Sequence, residues 1–228
     1  MAILTTSSFA AIVQERQCSN LFADRTPQGE YVDWTKDYQF NKFDPSKGQL
    51  IAVEFNATLN GSLDACAENR ANSPVNGAFI KVDANMSVEM IEGEMLYLDV
   101  VINTGLHNVT AYDGTLDFQG TSAFCANATD NTTGSVSPAN VSAYVGPGTF
   151  NLTAVTTATS QVNGGGTWAS IIETRAWSYA CITYIYDNTH CLSGYKKDGC
   201  TGNPLANWTI TVNNSTNSWP VETDDYGF

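Results

Sequence analysis

The sequence predicts an all-β chain: an antiparallel β-sandwich of jelly-roll character followed by a small, incomplete β module. Three observations predict it. Apolar residues recur at every second position, the periodicity of half-buried strands rather than of helices. β-branched and aromatic residues dominate those stretches. Clusters of Gly, Pro, Asn and Asp separate them at the spacing of a sandwich.

Taken in order, residues 3–13 are apolar and free of charge. They serve either as a strand donated to a neighbouring copy or as the first strand of the chain's own sandwich. They lack the basic start and long apolar run of a signal peptide, so the sequence is expected to begin near a mature end. Strands are expected at residues 50–59, 78–83, 95–102, 149–155 and 180–186. Turns are expected at residues 44–48, at Asn60-Gly61, at residues 112–114 and at residues 146–148. Residues 167–177 fit a turn of helix or a further strand. The organisation expected is an N-terminal strand or arm (1–32), a sandwich (33–187) and a partial β module (188–228). No apolar run reaches the roughly 18 residues of a membrane span.

Only 14% of residues are charged and 43% are hydrophobic, so the chain can bury a sizeable core while Thr, Ser, Asn and Gly carry the polar surface. A net charge of −13 repels nucleic-acid phosphates and anionic membranes alike. The chain contains eleven Asn-X-Ser/Thr acceptors: Asn56, Asn60, Asn85, Asn108, Asn127, Asn131, Asn140, Asn151, Asn207, Asn213 and Asn214. So many in one chain point to an exported protein bearing N-linked glycans at exposed positions.

The six cysteines form an even set without a C-x-x-C pair, and zinc-ligand spacing is absent, so disulfides are expected. Cys191 with Cys200 is the local pair, closing a loop that contains Gly194 and Gly199. The other four are assigned as Cys66 with Cys125 and Cys18 with Cys181. His107 and His190 lie in no catalytic motif and are read as loop histidines, and a disulfide at Cys191 removes any Cys-His nucleophile. Asp113 and Asp117 flank a turn, where capping is the plain reading. An acidic extracellular chain can also gather oxygen ligands for calcium; the candidates are Asp113, Asp117, Asp224 and Asp225, without EF-hand spacing. Trp168, Trp177, Trp208 and Trp219 are candidates for a sugar-stacking platform. Trp208 alternates with Ile210 and Val212, a pattern of burial, whereas Trp219-Pro220 reads as an exposed edge.

The Phe43-Asp44-Pro45 turn, the Gly48-Gln49-Leu50 step and the amphipathic strand to Phe55 occur together, followed by matches at residues 112–120, 144–152, 165–168 and 181–186. This set resembles the choice-of-anchor E family of cell-surface domains over residues 33–187. The resemblance implies an extracellular β-rich module held to surfaces by varied anchors, and it carries no catalytic residues. Residues 192–198, 203–212 and 223–228 resemble the opening strands of a prealbumin-like adhesin repeat. Together with the glycan acceptors, the pattern is similar to archaeal cell-envelope proteins of the methanogen type. The function expected is a non-enzymatic structural subunit of a sheath, surface layer or filament, self-assembling into a homopolymer through β-sheet edges. The alternative is a cell-surface adhesin or carbohydrate-binding module.

Overall fold

The computed structural model describes residues 12–21, 30–188, 196–213 and 218–226. Twelve strands follow in order: β1 (Ile12–Leu21), β2 (Glu30–Tyr31), β3 (Thr35–Asn41), β4 (Gln49–Asn69), β5 (Val75–Glu89), β6 (Met95–Asn103), β7 (His107–Val109), β8 (Ala123–Val136), β9 (Thr149–Asn163), β10 (Trp168–Asp187), β11 (Thr209–Asn213) and β12 (Ser218–Glu222). The described residues hold only two short 3-10 turns besides, Pro45–Lys47 and Ser142–Tyr144.

One sheet runs β1-β10-β4-β8, with β2 also on β10; the other runs β3-β9-β5-β6, with β7 also on β5. Strands distant in sequence thus lie side by side in both sheets, which is the interleaved double Greek key of a jelly roll. The fold predicted from sequence is present.

The alternation that identifies strands also builds the core. β6 exposes Met95, Tyr97, Asp99, Val101 and Asn103, and buries Leu96, Leu98, Val100 and Ile102 between them. From the other strands Phe55, Leu59, Leu63, Ile80, Met86 and Leu152 are almost wholly buried. Each such side chain stabilises the fold by about 1.5–3 kcal/mol relative to exposure. Three buried side-chain contacts tie the sheets together across this core. Tyr38 on β3 donates to Ser178 on β10, whose hydroxyl donates in turn to the Thr58 carbonyl of β4 at 2.7 Å. Tyr184 on β10 donates to the Asn41 carbonyl of β3 at 2.6 Å, and the Trp34 indole to the Ala176 carbonyl at 3.4 Å. Burial pushes the Tyr38 hydroxyl up to about 12 and raises that of Tyr184 as well.

Several expectations are corrected. Asn60-Gly61 is no turn: β4 runs through it without a break. A Cβ on Gly61 would lie 2.6 Å from Ile102 Cδ1, and one on Gly134 would lie 2.6 Å from Leu98 Cδ2. Both glycines are notches that let β6 approach β4 and β8, a packing use of strand glycine. Of the two readings of residues 167–177 the strand is the one present, since Trp168 opens β10 and its first half runs to Trp177. Over the described part of residues 1–32 the strand reading rather than the arm is present: β1 and β2 belong to the main sheet through β10. Residues 3–11 of the candidate donor strand lie outside the described residues, and Ile12 and Val13 open β1.

Residues 13–186 form the larger of two compact units. Beyond them, β11 and β12 pair antiparallel from Thr209↔Glu222 to Asn213↔Ser218. A turn ahead of them is closed by Asp198, whose carboxylate accepts the N–H groups of Cys200 at 2.9 Å and Thr201 at 2.7 Å; the bonds from Thr201, then Cys200, hold that carboxyl below the usual range. Trp208 and Ile210 are not buried as expected, at 51% and 40% exposed, because a two-stranded ribbon offers a single layer; the Val212 side chain lies outside the described residues.

Candidate functional site

The sandwich presents two outer faces, and they differ in chemistry. On the β1-β10-β4-β8 sheet, Cys18 is bonded to Cys181 and Cys66 to Cys125, so both long-range pairings assigned from the sequence are formed. Cys66 and Cys125 are directly opposed across β4 and β8. The first bond joins β1 to β10 and the second β8 to β4. The outer strands β1 and β8 are therefore each stapled to an inner neighbour, while the two-residue β2 lies on β10 without a staple. Cys200 carries an exposed thiol, and its expected partner Cys191 lies outside the described residues, as does His190.

The same face displays four glycan acceptors. In a strand the two-residue period puts the Asn and the hydroxyl residue of a sequon on one side. Asn56 and Asn60 on β4 thus share the outer face with Asn127 and Asn131 on β8, and Asn60 pairs directly with Asn131. Thr58 and Thr133, the hydroxyl residues of two of these acceptors, bond to each other at 2.8 Å. Of the remaining acceptors, Asn85, Asn108, Asn140, Asn151 and Asn207 are exposed, while the side chains of Asn213 and Asn214 lie outside the described residues.

Two grooves run along this face. One, of about 560 Å³, is flanked by Arg16, Glu54, Asn56, Thr133, Tyr179 and Thr183. The other, of about 480 Å³, is flanked by Ser62, Asp64, Asn127, Thr129, Glu173 and Arg175. The Arg175 guanidinium donates to Glu173 at 3.2 Å beside it. Tyr179 is 45% exposed, and Trp177, two residues earlier, shares its side of β10.

The opposite sheet carries no disulfide among the described residues. Its edge strand β6 shows Met95, Tyr97 and Val101 outward, with Tyr97 at 68% and Val101 at 49% exposure, and Ile91 and Leu106 exposed just beyond its ends. Asp99 is the strand's single charge.

The loop after β7 explains the acidic candidates. Glu68, fully buried at the end of β4, accepts the backbone N–H groups of Asp117 at 3.1 Å and Phe118 at 2.8 Å. Asn69 beside it donates to the carbonyls of Ser73 and Thr110, both at 2.8 Å. Asp113 and Asp117 accept the N–H groups of Thr115 and Gln119, each at 2.9 Å, so they cap turns. Asp224 does the same for Tyr226 at 2.9 Å, and Asp225 is exposed in that turn. Among the described residues no three His, Cys, Asp or Glu side chains gather as metal ligands. His107 stacks on Phe124 with ring centroids 4.3 Å apart, a packing role.

The four tryptophans form no common platform. Trp168 packs edge-on against Phe124, Trp177 lies on the stapled face, Trp208 stands under the Lys196 ammonium in the smaller unit, and the Trp219 side chain is outside the described residues. The aromatic that the sequence reading missed is Tyr179. Its signal is the alternation along β10, where every odd position from Glu173 to Thr183 faces outward.

No protein-family model matches the sequence, and no curated protein matches it. Among solved structures, the T13 particle of IBDV is 13% identical with a TM-score of 0.19, covering 76% of this chain and 35% of that one. The T=1 particles derived from infectious bursal virus are 13% identical with a TM-score of 0.18, covering 85% and 41%. The chain spans less than half the length of either. These likenesses are too slight to add to the topology. No helix among the described residues is long and apolar enough to cross a membrane.

Proposed function

We propose that this chain is a structural subunit of an extracellular cell-envelope assembly, a sheath, surface layer or filament, whose copies join through sheet edges. One observation carries the reading: a sheet whose outer strands β1 and β8 are stapled by disulfides is backed by a second sheet whose edge strand β6 is unstapled and turns Met95, Tyr97 and Val101 outward beside a single charge, Asp99. Proteins that remain monomeric protect such edges with charge, proline or bulges. β6 has one charge, no proline and regular alternation, which suits it to pair with a strand of another copy.

Supporting features agree. Two disulfides suit an oxidising compartment. Exposed acceptor asparagines suit a glycan coat. The resemblance to choice-of-anchor E domains, and the archaeal envelope origin it suggests, belong to the same proposal. Antiparallel pairing of β6 with its own copy closes as a two-fold dimer, so growth into a polymer needs a second, different contact. The β11–β12 ribbon, with Trp208 and Ile210 exposed, is the proposed second contact.

The test is negative-stain microscopy of native material combined with its intact mass. Ordered tubes, sheets or threads, and a mass above the bare 24.6 kDa polypeptide, are expected. Dispersed particles of the bare mass contradict the proposal.

A further inference from the structure

We propose that the outer face of the β1-β10-β4-β8 sheet binds a neutral polysaccharide chain along its two grooves. The grooves lie on one side of one sheet, and β10 runs past both, with Glu173 and Arg175 beside one and Tyr179 and Thr183 beside the other. From Glu173 to Thr183 the strand extends roughly 33 Å, at about 3.3 Å per residue, so the site is long and open rather than a closed pocket.

The chemistry of the lining selects the ligand class. A sugar ring offers an apolar face of C–H groups and a rim of hydroxyls that both donate and accept. Tyr179, half exposed on a rigid strand, supplies a flat surface for the apolar face, and Trp177 stands on the same side. Gln14 supplies an amide that donates and accepts, and Ser62, Thr129, Thr133 and Thr183 supply hydroxyls. Each groove also carries an arginine and at least one carboxylate: Arg16 with Glu54 in one, and Arg175 with Glu173 and Asp64 in the other. Such mixed lining favours no net ligand charge, and the chain's charge of −13 opposes a polyanion. A subunit of this kind would assemble through β6 while gripping an envelope polysaccharide with its other face.

The experiment uses the full chain with its disulfides formed and made without N-glycans, so that no sugar of its own occupies Asn56 or Asn127. Calorimetric titrations employ chitohexaose, cellohexaose and mannohexaose as neutral probes and an alginate oligomer as the acidic one. At least one neutral probe is expected to bind, with affinity reduced about tenfold or more in Tyr179→Ala, kept in Tyr179→Phe and kept in Leu116→Ala, a surface change on another loop. The proposal is overturned if no neutral probe binds at millimolar concentration, if alginate binds as tightly as the neutral probes, or if Tyr179→Ala binds as the unmodified chain does. Circular dichroism of each variant establishes that the fold is retained, and Tyr179→Leu, which keeps apolar bulk but no ring and is expected to lose the same affinity, carries the comparison should the alanine variant unfold.

Discussion

The two sheets share a core yet treat their edges in opposite ways. In one sheet both edge strands, β1 and β8, are covalently tied to the strand beside them. In the other, edge strands β3 and β6 rely on hydrogen bonds and packing alone, and β6 turns Tyr97 and Val101 to solvent. The difference teaches where tension and contact are handled. The disulfides hold β1 and β8 against fraying, whereas β6 stays at an edge with no covalent tie, the feature on which the proposed pairing of copies rests.

The largest effect should come from removing a staple. Replacing Cys66 and Cys125 together by alanine is expected to cost about 2–4 kcal/mol in denaturant unfolding, since the bond closes a span of 59 residues. If stability is unchanged, the stapled sheet is no sturdier than its partner and the contrast fails. Next is the notch beneath β6. Gly134→Val drives a side chain into Leu98 and is expected to cost about 1–3 kcal/mol through overpacking, read as a lowered midpoint of thermal unfolding.

Alkaline pH probes the polar ties between the sheets. Burial pushes the hydroxyls of Tyr38 and Tyr144 up to about 12, in the second case with Glu94 and Glu92 adding, and raises Tyr184 as well. Unfolded tyrosines lose their protons near 10, so between about 10 and 12 the folded state holds more protons than the unfolded one. Stability is therefore fully present below pH 10 and declines as pH rises through that window. Pulse proteolysis across pH 9–12 should show the decline, and Tyr38→Phe should flatten it.

The smallest expected change in stability, with a clear change in assembly, concerns Asn85. It pairs with Asp99 on β5 and β6, between the positions of Tyr97 and Val101. A glycan there would cover the open edge. Glycopeptide mapping of assembled material is expected to find Asn85 unmodified, and full occupancy in polymers would rule out pairing at β6.

How much of this was legible in the sequence depends on how large the inward-facing residues are. β6 and the start of β9 announce themselves through alternating Leu, Val, Ile and Phe. β8 did not, because its inward positions are largely small or polar, Ala126, Ala128, Thr132 and Gly134, and much of that side lies beneath the bulky Leu96 and Leu98 of β6. Only the partner strand makes sense of that pattern. Asn60-Gly61 resembles a turn for the same reason: its glycine answers Ile102, far along the chain. The cysteine assignment of β1 to β10 and β4 to β8 was reachable from the sequence, but the grooves were not. They need β4, β8 and β10 side by side, which brings Asn56, Thr133 and Tyr179 to one face.

The account rests on β6 as the contact between copies, and sedimentation velocity on the Tyr97→Lys, Val101→Lys double variant tests it most directly. Both side chains point to solvent, so each change should alter folding stability by no more than about 0.5 kcal/mol. The unmodified chain is expected to sediment as dimers and larger species, and the variant as a folded monomer. A variant that assembles as the unmodified chain does would contradict pairing through this edge.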